Sequence, residues 1–98
     1  MIETRSAEVM HDIERHRFEL ALEDGEVAAA YYRADEDGRL VLIHAEVPSA
    51  FTGHGIGSTL ARGVFDMARR DGLKLVLRCP FLQVWYARHP DYGDVVAG

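Results

Sequence analysis

The chain has 98 residues, 48% of them hydrophobic and 28% charged, the make-up of one ordinary globular domain spanning residues 1–98. A formal charge of -5, with no basic run longer than Arg69-Arg70, excludes a phosphate-neutralising nucleic-acid surface as the main function. The one cysteine, Cys79, excludes an internal disulfide and points to a reducing cytoplasm, and no window approaches the roughly 18 consecutive apolar residues of a membrane span.

The opening stretch, MIETRSAEVMHDIERH, mixes acids and bases and does not read as a signal peptide. Residues 5–14 are ambiguous, although Val9, His11 and Ile13 alternate as a short first strand would. In RHRFELAL (15–22), Phe18, Leu20 and Leu22 alternate with polar or small neighbours, the period of a half-buried strand. An Asp-Gly turn at 24–25 leads into EVAAAYYR (26–33), a second strand whose alanines weaken the pattern. Another Asp-Gly turn precedes LVLIHAEV (40–47), the strongest strand in the chain. Short turns between three strands imply an antiparallel meander.

The period then changes. From Gly57, the positions Leu60, Ala61, Val64, Phe65, Met67 and Ala68 follow the spacing of an amphipathic helix. Arg69 and Arg70 fall in its last turn, and Gly72 lies just beyond it. LKLVLRC (73–79) returns to strand character; Pro80 suits the first turn of a helix over 81–89, and Pro90 stops it. Strand, helix and strand from 40 to 79 require parallel strands and a right-handed crossover, so the fold class is α+β with a mixed antiparallel and parallel sheet.

Gly53, Gly55 and Gly57 stand at alternate positions where the helix begins. The first turn of a helix exposes unpaired N–H groups, and glycines let an anion approach them without meeting a Cβ. A Walker loop needs a Gly-Lys-Ser/Thr end that is missing here, and a dinucleotide fingerprint needs G-x-G-x-x-G after a first parallel strand. Neither fits a G-x-G-x-G after a meander. The plainer alternative is a tight strand-to-helix turn.

VPSAFTGHGIGSTLARGVFDMAR resembles motif A of the GNAT superfamily of N-acetyltransferases, and with LRCPFLQVWYARHPDY it is similar to the very small, about 100-residue members of that group. The resemblance spans roughly residues 15 to 95 and implies a minimal GNAT-like fold with acetyl-CoA (coenzyme A) as cofactor. By it, Val47, Pro48 and Ser49 lie along the pantetheine arm, and Gly53, His54, Gly55, Ile56, Gly57 and Ser58 surround the pyrophosphate. The strands 40–47 and 73–79 part to admit the cofactor, with the thioester near His44, Glu46 and Cys79. Phe51 and Thr52 stand where the superfamily often has Arg or Gln, which weakens the side-chain part of the phosphate grip and leaves the backbone part.

Acetyl transfer needs a base for the amine, a donor for the thioester carbonyl and a proton for the leaving thiolate. Cys79 precedes a helix start and is a nucleophile, a proton donor or a core residue. His44 shares a face with Glu46 and is a general base or a satisfied histidine. Tyr86 is core, or the phenol that protonates the thiolate, as the resemblance suggests; Arg88 and His89 suit a lid or the cofactor's edge. No Cys/His set has metal spacing. The expected activity is acetyl transfer to an amine, either a protein lysine or a small amine such as a polyamine. The alternatives are a non-catalytic acyl-CoA-binding module and a small interaction domain. Nothing in the residues fixes an oligomeric state.

Overall fold

Five strands lie across one sheet in chain order, β1 to β5: Val9–Asp12, Arg17–Ala21, Val27–Ala34, Leu40–Glu46 and Leu75–Leu77. This computed structural model describes residues 9–53 and 55–98. The first four strands are antiparallel neighbours, and β5 joins β4 in parallel. Helix α1 (Ile56–Asp71) makes the crossover and helix α2 (Pro80–Arg88) follows β5. The alternation of Val9 and His11 does form a strand, whereas residues 5–8 of that ambiguous stretch lie outside the described residues.

Both helices pack on the same face of the sheet. Phe18 and Leu20 of β2, Ala28, Ala30 and Tyr32 of β3, Leu40 and Leu42 of β4, and Leu75 and Leu77 of β5 share one core with Leu60, Val64 and Phe65 of α1 and Leu82 and Trp85 of α2. Each fully buried large side chain stabilises the fold by roughly 2 kcal/mol. Gly63 sits in the middle of α1 because β1 crosses there: a Cβ on it would stand 2.2 Å from Val9 Cγ2. A mid-helix glycine costs about 1 kcal/mol against alanine, here offset by the close approach.

β4 holds a bulge. Tyr31 pairs with His44 and Tyr32 with Leu42, which leaves Ile43 as an extra residue. Unbroken alternation would put Leu40, Leu42, His44 and Glu46 on one face. The bulge returns Ala45 and Val47 to the core side and turns His44 and Glu46 to the other.

The strand predicted over 73–79 is shorter. Its ladder ends at Leu77, since the N–H groups of Arg78 and Cys79 both donate to the Leu42 carbonyl, at 2.9 and 3.0 Å. The last residues run beside β5: the amides of Leu75 and Leu77 donate to the carbonyls of Val95 and Gly98, and Ala97 donates back to Leu75. Arg69 fastens this segment, with Nη2 2.6 Å from Asp94 Oδ1 and the guanidinium over the Tyr92 ring.

Candidate functional site

β4 and β5 share only the pairs Leu40–Leu75, Val41–Val76 and Leu42–Leu77. Past Leu42, β4 continues to Glu46 with β3 as its only described strand partner. One side of the backbone from Ile43 to Glu46 is therefore an open strand edge, able to accept an extended chain bearing amides. Where this edge ends, Glu26, Val27, Ala45, Glu46, Val47 and Pro48 line a depression of about 580 Å³. Glu26 and Val27 carry no motif and are expected from the sequence only as the start of the second strand. They join the site only through the hairpin that brings β3 back beside β4.

The chain reaches α1 through one turn of 3-10 helix at Ser49–Phe51. Gly53 and Gly55 have φ of 84° and 76°, the left-handed region that favours glycine, and a Cβ at either would point into open space. Gly55 caps α1 without a side-chain hydrogen bond, and the first turn holds no acidic residue. The first internal bond of the helix is Thr59 N–H to the Gly55 carbonyl, at 3.0 Å. The amides of Ile56, Gly57 and Ser58 precede it, so among the described residues they are donors without a cap, at the positive end of the helix dipole. These features fit an anion. His54 lies outside the described residues.

Gly57 has a different reason to lack a side chain. A Cβ there would stand 3.0 Å from Cζ of Phe81, whose exposed ring leans from the first turn of α2 onto the first turn of α1. Phe81 stands as an apolar rim between the two helix starts. Ser58 is tied as well, its Oγ accepting from Trp85 Nε1 at 3.0 Å, so its hydroxyl is engaged while its amide remains free.

The expected chemical groups fall on two sides of the sheet. Cys79 is buried in the helix-side core, at the head of α2 and directly beside the point where the strands part. His44 and Glu46 stand on the opposite face, with His44 Nε2 3.1 Å from Glu46 Oε2 and both side chains more than half exposed. The His44 ring stacks on Tyr31, with centroids 5.9 Å apart, and Arg17, the β2 partner of Tyr31, lies over the same Tyr31 ring at 5.8 Å. The hydrogen bond to Glu19 raises the Arg17 guanidinium further above its ordinary range, so its charge is fixed. Tyr86 stacks on Phe65, and its hydroxyl lies against Gly93, 3.3 Å from where a Cβ would stand. His89 stacks on Trp85 at 3.8 Å, which commits it to the helix rather than to a lid.

Sheet order, one parallel pair and two helices on a single face define an α+β fold of the GNAT kind. The chain belongs to the GCN5-related N-acetyl-transferase family, whose model matches residues 17–95. Protein NATD1 of Xenopus tropicalis is 33% identical over 86 residues, covering 87% of this chain and 79% of that protein. Protein NATD1 of Homo sapiens is 32% identical over 83 residues, covering 84% and 74%. The fold is shared with a Staphylococcus aureus chain solved by NMR and described as GCN5-like, at a TM-score of 0.68 and 25% identity over 94% of this chain and 89% of that one. No helix among the described residues is long and apolar enough to cross a membrane.

Proposed function

We propose that this protein is an acetyl-CoA-dependent N-acetyltransferase, one domain over residues 1–98 working in a reducing compartment such as the cytoplasm. One observation carries the reading: the β4–β5 ladder stops at Leu42 and Leu77, beside a helix whose first three amides are uncapped. Gly53, Gly55, Ile56, Gly57 and Ser58 would hold the diphosphate, with His54 in the same loop. The edge from Ile43 through Val47, Pro48 and Ser49 would take the pantetheine amides. Acetyl-CoA supplies the activated acetyl thioester.

The chain's own groups then divide the proton work. His44, oriented by Glu46, takes the proton of the acceptor amine. Cys79, beside the parting, protonates the departing thiolate, a task for which the Tyr86 hydroxyl, against Gly93, is less well aimed. Net charge of -5 and the carboxylates of Glu26 and Glu46 favour approach of a cationic amine.

Calorimetric titration with acetyl-CoA, with ATP and NADH as controls, tests the site. Selective micromolar binding is the expected result, and no heat or thermal shift at millimolar acetyl-CoA would refute it. Thiol release with a panel of amines then tests turnover. His44→Ala should lower kcat by about 100-fold with acetyl-CoA affinity retained. An acetyl group found on Cys79 by mass spectrometry would replace the proton-donor role with that of a nucleophile.

A further inference from the structure

Opposite the helices, on the face that carries His44, the strands hold a second concavity that the acetyl-donor site does not use. It is a cavity of about 290 Å³ whose floor is Val41 and Val76, paired neighbours on β4 and β5. Arg33, the β3 partner of Val41, and Arg78, two residues past Val76, rise from its sides. Arg39 and the Ala97-Gly98 segment close it.

The charges there are unbalanced. Arg39 is spent, with Nε 2.8 Å from Asp35 Oδ2 and Nη2 3.2 Å from Asp37 Oδ2. Asp35 is spent too: although burial pushes its carboxyl upward, hydrogen bonds from the Arg39 amide, the Arg39 guanidinium and the Asp37 amide hold it below the usual range. The carbonyl of Gly98 accepts from Leu77 N–H. Arg33 and Arg78 have no ion pair with any described residue. Two guanidiniums facing one apolar-floored cavity in an acidic protein are a fork-like receptor for a carboxylate.

Its position assigns the carboxylate to the acceptor. Arg78 adjoins Cys79, and its amide marks the point where the strands part. Tyr31, two residues before Arg33 on β3, stacks on His44. Along β4, His44 is three residues from Val41, about 10 Å at the strand rise. An extended free lysine spans about 7.5 Å from carboxylate carbon to terminal nitrogen, and a hydrogen bond at either end carries it across that reach.

We infer that the acceptor is a small amine that also carries a carboxylate, a lysine-length ω-amino acid, held through that carboxylate by Arg33 and Arg78 with its amine presented toward His44. This rests on the acetyltransferase reading above. The neutral amine nitrogen attacks the thioester carbonyl carbon, the C–N bond forms as the C–S bond breaks, and the amine's proton leaves through His44 as the thiolate gains one.

The test compares acetylation of free lysine with that of cadaverine, its decarboxylated counterpart, by wild type, by Arg78→Gln alone and by Arg33→Gln with Arg78→Gln. Acetyl-CoA affinity is measured on each protein. Wild type should favour lysine by at least tenfold in kcat/KM, mainly through KM, and the double variant should bring the ratio near one. Equal use of both amines, or a preference that survives the substitutions, overturns the inference and leaves acetyl transfer standing. If acetyl-CoA binds and neither amine is acetylated, free lysine is not the acceptor, and the panel of amines decides the enzymatic reading. Calorimetry with lysine then reads the cavity directly: binding lost in the double variant supports a carboxylate site, and no binding to wild type overturns it.

Discussion

Helices α1 and α2 begin in contact with each other, through Phe81 on Gly57, yet their first turns differ in how far the chain ties them down. At α2 fewer donors stay open, the amides of Phe81 and Leu82 ahead of the Gln83–Cys79 bond, and the residues around them are tied to the strands. The Cys79 amide goes to Leu42, Pro80 at the first helical position has no N–H to satisfy, and Gln83 reaches back to donate from Nε2 to the Leu77 carbonyl at 2.9 Å. At α1 the donors are kept. Its cap is a left-handed glycine with no side chain to offer. One helix start is stitched into the sheet; the other stays receptive to an anion. A fold spends its polar groups where it needs rigidity and leaves them unpaired where a ligand is to supply the partner.

Substitutions at each start should separate the two roles. Gly55→Val forces a branched side chain into φ near 76° and screens the amides, so acetyl-CoA affinity should fall at least tenfold, with about 1–2 kcal/mol of stability lost. Calorimetry and thermal melting report the two effects. Gln83→Ala should do the reverse, costing about 1 kcal/mol in denaturant unfolding with acetyl-CoA affinity kept. Loss of affinity there would erase the contrast.

The link between the two starts is Trp85 to Ser58, so Ser58→Ala and Trp85→Phe should be coupled. A double-mutant cycle should give a coupling of about 0.5–1 kcal/mol. The smallest effect lies away from both. His11, bonded to the Tyr32 hydroxyl at 2.7 Å, is lowered from its ordinary range by burial, against the pull of Asp71 and Asp12. The unfolded chain therefore binds its proton more readily, so stability is complete above about pH 6.5 and declines as pH falls through the interval below. His11→Gln should flatten the fall in melting temperature from pH 7 to about pH 5, and an unchanged slope would assign it elsewhere.

Much of this was legible from residue patterns. Period-2 and helical spacing located β2, β3, β4 and α1; one-sided burial is clear in β2 and α1, while β3 and β4 each bury three residues in a row. The left-handed Gly53 and Gly55 agree with the tight strand-to-helix turn that the glycine cluster offered as its plainer reading. What escaped depended on distant partners. Nothing near Gly63 announces that Val9 will lie over it, and nothing near Gly57 announces the Phe81 ring. The run 73–79 stays apolar enough to continue as a strand, and only the Leu42 carbonyl, which takes two amides, ends it at Leu77. The bulge at Ile43 was equally hidden, and with it the side of the sheet to which His44 points. Arg33 and Arg78 are 45 positions apart in the chain and carry no motif, so only the strand register brings them to one cavity.

The C-terminal segment also has a kinetic side. Leu75 and Leu77 surrender their amide protons to carbonyls of residues 95 and 98 rather than to β4, so those two protons are protected only while the segment stays docked. Their deuterium uptake would therefore time its fraying, and with it the opening of the cavity wall that Gly98 provides. A peptide tag appended after Gly98 would be expected to speed that exchange before it altered the melting temperature.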